Sequence, residues 1–146
     1  MTNVDESDQK IIDILVSNAR TPFTEIANIL DVSEGTVRKR VQRLESRGVI
    51  RGYTVDIDPG KLGYRCITLL GLDTEPENFL DAVHALAEFE EVRWAAKSTG
   101  DHMIMAEVWT KDDAGLSSFI EEKVCSIKGV KRICPAIILE KMRPCK

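Results

Sequence analysis

The sequence lacks the patterns that mark membrane proteins and most enzymes. No window approaches about 18 consecutive apolar residues, and the N-terminus is polar and charged, so neither a membrane-spanning helix nor an apolar leader is expected. There is no glycine-rich phosphate loop, no metal-ligand spacing and no nucleophile motif. We therefore expect a soluble, cytoplasmic protein that is not an enzyme, with no cofactor and no membrane partner.

Cysteine and histidine are also scarce. The two histidines, His84 and His102, offer little help in building a metal site. The four cysteines show no CxxC spacing, so we expect reduced thiols in an intracellular protein; they are Cys66, Cys125, Cys134 and Cys145.

Charge is distributed unevenly along the chain. With 146 residues, 43% of them apolar, the chain is long enough for two small domains. Its formal net charge is −4, yet residues 33–54 hold six basic and two acidic residues, a local excess of +4. A local patch governs attraction to a polyanion, because an exposed charge is screened over about 10 Å at moderate salt. The basic residues are Arg38, Lys39, Arg40, Arg43, Arg47 and Arg51.

The basic segment has the pattern of an amphipathic helix. Val37, Val41 and Leu44 fall on one face at helical spacing, which leaves the basic residues facing outward. Ser33 is a good N-cap, and Gly48 favours a left-handed end. A shorter helix precedes it, with Thr21 as the expected cap. Two helices joined by a tight turn predict a helix-turn-helix that enters a DNA major groove.

The outward face gives the predicted contacts with double-stranded DNA. Base edges would be read near the N-terminal end of the helix, and phosphates bound further along. Arg40 lies nearer the core, so an internal salt bridge or a phosphate contact is expected there. The predicted base-reading residues are Gly35, Thr36, Arg38 and Lys39, the phosphate-binding residues are Arg43, Arg47 and Arg51, and Ser33 and Gln42 complete the surface.

The remainder of the first half predicts a winged type of helix-turn-helix domain. A first helix, capped by Asp5 or Ser7, would carry its apolar face from Ile11 to Val16. Residues 49–57 are rich in β-branched and aromatic side chains, which predicts one or two short strands. Asp58-Pro59-Gly60-Lys61 is a turn signal, so the domain is expected to span 1–58.

The second half, residues 62–146, predicts a ferredoxin-like βαββαβ domain, which makes the fold class α+β. Gly100-Asp101 would turn a hairpin, and Pro135 suggests a bulge or an edge position in the last strand. The expected elements are strands at 65–72, 92–99, 102–110 and 130–141, with helices at 77–89 and from Asp112-Asp113 to Gly129.

Two helices can cover only one face of such a sheet. Its strands are apolar on both faces, which predicts dimerisation through the uncovered one. A two-fold dimer would present its recognition helices about 34–36 Å apart, or a multiple of that distance, and so favour palindromic sites.

The sequence resembles the Lrp/AsnC (feast/famine) transcriptional regulators along nearly its whole length. The N-terminal part of the match is the more specific one. The matching residues include Asp8, Ile11-Ile12, Leu15, Asn18-Ala19-Arg20, Val32-Ser33-Glu34, Arg43-Leu44-Glu45, Gly48-Val49-Ile50, Gly52-Tyr53-Thr54, Thr99-Gly100-Asp101 and Gly129-Val130.

This resemblance implies a DNA-binding domain followed by a regulatory domain that assembles into dimers and larger rings and binds a small effector such as an amino acid. The effector would lie between dimers. One departure is Met103, where the family commonly has a second acid. The residues implied are Thr99, Gly100, Asp101 and His102 in the turn, with Ala136, Ile137 and Ile138 in the last strand.

Other interpretations stay open. Siroheme decarboxylases resemble this family in fold, so an enzyme that holds a tetrapyrrole is an alternative, as is an architectural DNA-binding protein without an effector. Asp101 and His102 are neighbours on the chain and point to opposite faces of a strand, so they cannot act together on one substrate atom. They are either an effector site or a turn aspartate beside an edge histidine.

Overall fold

The first half of the chain folds into three helices joined by short turns. The computed structural model describes residues 4–141. Helix α1 spans Glu6–Ser17, α2 Phe23–Leu30 and α3 Glu34–Ser46. Of the two caps predicted for α1, Asp5 is the one used, because its carboxylate accepts a hydrogen bond from the Asp8 N–H at 2.8 Å.

The predicted cap of α2 is wrong. Pro22 stands at the N-cap position and provides no side-chain hydrogen bond. The hydroxyl of Thr21 instead donates to the carbonyl of Asn18, at 2.8 Å, which closes the preceding turn. The turn from α2 to α3 passes through Asp31, which adopts a left-handed conformation with φ of 53°.

The three helices share one apolar core. Ile11 of α1, Ile26 of α2 and Val37 of α3 are completely buried in it, and Val41 is 2% exposed. The helical face predicted from Val37, Val41 and Leu44 is therefore the buried face of α3, and the prediction is confirmed.

Residues 49–57 do not form the strands that their composition predicts. Residues 51–58 have no regular secondary structure, and Tyr53 and Val55 are exposed. Branched side chains favour an extended backbone, but a strand also needs a neighbour for its N–H and C=O groups. Within residues 4–141, no strand pairs with this segment.

The second half forms a four-stranded antiparallel sheet with the predicted βαββαβ order. A 3₁₀ turn at Pro59–Leu62 leads into it, and the order across the sheet is β2-β3-β1-β4. The elements are β1 Cys66–Thr74, a 3₁₀ turn Pro76–Asn78, α4 Phe79–Ala87, β2 Val92–Lys97, β3 Ile104–Thr110, α5 Asp113–Ser118 with a π turn Phe119–Lys123 and a 3₁₀ turn Val124–Ser126, and β4 Val130–Ile137.

One face of this sheet packs against the helices. Leu70 and Leu72 of β1 and Ile104 of β3 are completely buried there, against Leu86 of α4. Strand β4 lies at the edge, so the edge position predicted from Pro135 is confirmed. The pairing of β1 with β4 is irregular at Asp73 and Thr74, and not at Pro135.

The other face, here called the open face, carries a buried carboxylate. Glu107 is 8% exposed and accepts hydrogen bonds from the indole N–H groups of Trp109, at 2.6 Å, and Trp94, at 3.3 Å. Lys141 Nζ lies 2.7 Å from the same carboxylate. Burial opposes the charge of Glu107, but the ammonium and the indole groups outweigh it, so its pKa lies below the ordinary value. The charge of Glu107 is thus neutralised within one chain.

The chain divides into two units between Asp56 and Ile57. Within residues 4–141, no helix has the length and apolarity needed to cross a bilayer, and no group of acidic, histidine and cysteine side chains could hold a metal ion. Cys66, Cys125 and Cys134 are free thiols, and Cys145 lies outside the described residues.

Candidate nucleic-acid interface and effector region

Helix α3 is defined at both ends by the residues that the sequence predicts. The Ser33 hydroxyl accepts a hydrogen bond from the Thr36 N–H at 3.2 Å and lies 2.8 Å from the Thr36 hydroxyl. After the helix, Gly48 adopts φ of +68°, the left-handed conformation that favours glycine. Both predicted ends are confirmed, so local sequence sets the extent of α3, while its buried residues set which face points outward.

The N-terminal end of α3 presents an open, basic surface. Gly35, Arg38 and Lys39 are exposed, and Thr36 is half-buried by its contact with Ser33. The guanidinium of Arg38 is 2.6 Å from Glu34 and lies over the ring of Phe23, 5.4 Å from its centroid. These contacts orient Arg38 along the surface while leaving it exposed. Such an end matches the part of a recognition helix that meets base edges.

The middle of α3 is tied to α1 by ion pairs. Arg40 is 2.7 Å from both Asp5 and Asp8, so the internal salt bridge predicted for Arg40 is confirmed. Arg43, predicted to bind phosphate, donates to Asp8 at 2.6 Å. The hydrogen bond from Arg40 is the main cause that lowers the pKa of Asp5, and the pKa of Arg40 is raised in turn. The sequence did not predict Asp8 as the partner of these arginines.

The other basic residues predicted to contact DNA are not paired with carboxylates in the described part of the chain. In the described part of the chain, Lys39, Arg47 and Arg51 form no ion pair, and all three are exposed. Gln42 is exposed between them on the outer side of α3. This surface, together with Gly35, Thr36 and Arg38, can accept a phosphate backbone and present side chains to bases.

The turn between β2 and β3 forms a polar cluster with β1. His102 Nδ1 lies 3.2 Å from Asp73 Oδ2, and the Met103 N–H donates to Asp73 Oδ1 at 3.1 Å. Arg132 of β4 approaches the same carboxylate at 3.7 Å. Burial opposes the charge of Asp73, but these hydrogen bonds and the nearby positive charges hold its pKa below the ordinary value. His102 thus pairs with Asp73 and not with its neighbour Asp101.

Asp73 was not predicted as a site residue. Its signal in the sequence is a single acid within the apolar strand Cys66–Thr74, at a position that alternates with the buried Leu72. Asp73 supplies a carboxylate beside Met103, the position at which the family commonly has its second acid.

The two segments predicted to hold an effector meet β1 at different positions. Ala136 and Ile137 pair with Leu69 and Thr68, and the Ile138 N–H donates to Ile67. The turn that contains Thr99, Gly100, Asp101 and His102 instead meets the far end of β1, at Asp73. From Leu69 to Asp73 the strand rises about 13 Å, at roughly 3.3 Å per residue. The His102 ring also lies against Gly71, about 7 Å along β1 from Leu69 at roughly 3.3 Å per residue, so the two segments border the same face of the sheet at different positions.

The geometry defines a helix-turn-helix protein joined to a sheet domain, and comparisons with known proteins agree. Residues 4–51 match a family model described as winged helix-turn-helix DNA-binding, and residues 66–144 match the Lrp/AsnC ligand binding domain. The chain is 54% identical over 140 residues to the HTH-type transcriptional regulator LrpA of Pyrococcus abyssi, covering 96% of this chain and 99% of that one. The chain belongs to the Lrp/AsnC family, and it is a DNA-binding transcriptional regulator.

Solved structures show the same fold. The structure of Escherichia coli AsnC aligns with a TM-score of 0.85 at 28% identity and covers 97% of each chain. A feast or famine regulatory protein from Mycobacterium tuberculosis, complexed with L-methionine, aligns with a TM-score of 0.89 at 26% identity, over 96% of this chain and 95% of that one. The predicted family and fold class are therefore confirmed.

Proposed function

We propose that residues 1–58 bind double-stranded DNA through α3, and that residues 62–146 assemble the protein and bind a small effector. The observation that carries the DNA contact is the outward face of α3, on which Lys39 and Arg47 are exposed and form no ion pair within residues 4–141. Gly35, Thr36, Arg38 and Lys39 read bases, while Arg47 and Arg51 bind phosphate. Ser33 and Gln42 complete the interface.

Two substitutions separate base reading from phosphate binding. Lys39→Ala should change the preferred DNA sequence, with a discrimination loss of about 1–3 kcal/mol. Arg47→Ala should weaken binding to all duplexes alike and reduce the slope of log affinity against log salt by about 0.9. Lys10→Ala, on α1, is the matched control, because Lys10 pairs with Glu6 away from the interface. If both α3 variants bind every duplex as the parent does, the interface is wrongly placed.

The regulatory half is proposed to form dimers through the open face. Ala136 is exposed on this face beside Leu69, so Ala136→Glu would place a carboxylate in the interface. Ala85→Glu, on the exposed side of α4, is the matched control. Sedimentation should show a dimer or a larger assembly for the parent and the control, and a smaller species for Ala136→Glu. A monomeric parent at micromolar concentration would refute the proposal.

Dimerisation also predicts the form of the DNA site. Two copies related by a two-fold axis would contact half-sites about 34–36 Å apart, or a multiple of that distance, on a palindromic duplex. Selection of bound duplexes from a random pool should therefore return inverted repeats.

The effector is proposed to be an amino acid, as in the methionine-bound mycobacterial relative. Thr99, Gly100, Asp101 and His102 would bind it together with Ala136, Ile137 and Ile138, in a pocket between dimers. Calorimetric titration with the twenty amino acids should identify a ligand. Asp101→Asn should abolish the heat of binding, whereas Asp81→Asn, on α4, should retain it.

The proposal also holds that the protein is not an enzyme. The LrpA relative described above carries the name of a transcriptional regulator, which favours regulation over the decarboxylase alternative. A purified protein that has no pigment and shifts duplex DNA in a salt-dependent way would support this choice, whereas a coloured protein indifferent to DNA would reverse it.

A further inference from the structure

Two of the arginines on α3 face carboxylates that belong to α1. Arg40 Nη1 lies 2.7 Å from Asp5 Oδ2 and 2.7 Å from Asp8 Oδ1. Arg43 Nη2 lies 2.6 Å from Asp8 Oδ2 and 3.8 Å from Asp5 Oδ2. Two acids thus neutralise two arginines, and the excess of six basic over two acidic residues in the α3 region becomes six over four.

The two acids differ in their surroundings. The Asp8 side chain is 1% exposed and uses both oxygens on the arginines, so it fixes the position of the cluster. The Asp5 side chain is 51% exposed and also caps α1. Arg40 and Arg43 remain 27% and 41% exposed, which leaves them within reach of a polyanion if the acids release them.

Affinity for DNA of any sequence rises with the number of phosphates that a protein neutralises, whereas base contacts provide discrimination. A recognition helix with every arginine available would therefore bind random DNA more tightly without reading it better. Carboxylates that form ion pairs with some of those arginines therefore lower the affinity for random DNA.

We propose that Asp5 and Asp8 are specificity-determining residues, which hold Arg40 and Arg43 against α1 and so keep affinity for random DNA low. The inference rests on the proposed interface on α3. It replaces the expectation that Arg43 binds phosphate, and it leaves Arg47 and Arg51 as the phosphate-binding arginines.

The arginines themselves give the first test. Arg43→Gln should leave the salt slope for a mixed-sequence duplex nearly unchanged, because Asp8 already occupies the guanidinium. Arg47→Gln should reduce the slope by about 0.9. Thermal unfolding followed by circular dichroism identifies any variant that does not fold. Equal losses of slope in the two variants would show that Arg43 binds phosphate and would overturn the inference.

Asp5 gives the second test, since replacing this exposed residue disturbs the fold less than replacing the buried Asp8 would. Asp5→Asn keeps a good N-cap but removes one charge from the cluster. It should raise affinity for a mixed-sequence duplex several-fold, steepen the salt slope by at most about 0.9, and reduce the ratio of specific to random binding. Asp13→Asn, on the same helix, changes the net charge equally, and Asp13 hydrogen-bonds Gln9 rather than an arginine.

A double variant tests whether release of Arg40 causes the change in salt slope. Adding Arg40→Gln to Asp5→Asn should return the salt slope to the parental value. If Asp13→Asn raises random-DNA affinity as much as Asp5→Asn does, the effect is one of total charge and the inference fails. If the parent binds no duplex, the proposed function fails; if the parent binds but Asp5→Asn behaves identically, only the present inference fails.

Discussion

The imidazole of His102 lies directly against the backbone of Gly71, so that a Cβ placed on residue 71 would stand 2.3 Å from His102 Cδ2. Gly71 and Asp73 point to the same face of the sheet, since they are two residues apart on β1. The absence of a side chain at residue 71 therefore allows the His102 ring to reach Asp73.

Gly71→Ala should displace this ring and weaken its contact with Asp73, at a cost of about 1–3 kcal/mol in the free energy of unfolding. The cost should largely disappear in a His102→Ala background, because the obstructing ring is then gone. Urea unfolding of the four proteins in the cycle measures both effects. Equal costs in the two backgrounds would show that the ring is not the obstacle.

Gly48 offers a test of the end of the recognition helix. Its φ is +68° and no atom lies within 4 Å of the place that a Cβ would take, so Gly48→Ala would strain the backbone without a clash. We expect a loss of about 1–2 kcal/mol in the free energy of unfolding. Gly52→Ala is the control, because Gly52 has equal space and lies outside the left-handed region. A similar small effect for both variants would refute the strain argument.

Ser33 tests the beginning of the same helix. Ser33→Ala removes the acceptor of the Thr36 N–H and should cost about 0.5–2 kcal/mol, whereas Ser33→Asn should retain most of the stability. Ser46→Ala, at the other end of α3, should stay within about 0.5 kcal/mol of the parent. Chemical unfolding measures all three variants, and a loss shared by Ser33→Asn would contradict a capping role.

The lowered pKa of Glu107 predicts that the stability of the fold depends on pH, and it gives the sign of that dependence. Its pKa is lowered in the folded protein, so its contribution to stability is complete above the unfolded value, about 4.3, and disappears as pH falls through the folded value. Glu107→Gln should therefore be less stable than the parent near neutral pH, and the difference should shrink in acid. Glu121→Gln, an exposed carboxylate after β3, should show no comparable change. If the stability difference between Glu107→Gln and the parent does not change with pH, the pKa of Glu107 is not lowered in the folded protein.

Much of the architecture follows from local sequence. The spacing of Val37, Val41 and Leu44, with Ser33 and Gly48 at the ends, predicts α3 because each signal depends on residues within a few positions of one another. The alternation of elements in the second half likewise predicts the βαββαβ order, although β1 continues to Thr74 and α4 begins at Phe79.

Other features depend on residues far apart in the chain. The strands predicted at 49–57 need a neighbour that composition does not provide, and residues 51–58 are irregular. The partners of Arg43 could not be predicted, because Asp8 is distant in sequence and becomes buried only when α1 packs on α3. The contact of His102 with Asp73 depends in the same way on the register of β1 with β3.

The sheet register also has a consequence for the order of folding. Strand β1 pairs with β4 from Thr68 opposite Ile137 to Thr74 opposite Val130, partners separated by up to nearly half the chain. Pairing so distant in sequence is slow to form, whereas helices in local contact form quickly. During synthesis the three-helix unit emerges first and can fold while β1 still lacks its outer neighbour. The DNA-binding domain would thus be folded before the sheet domain is complete.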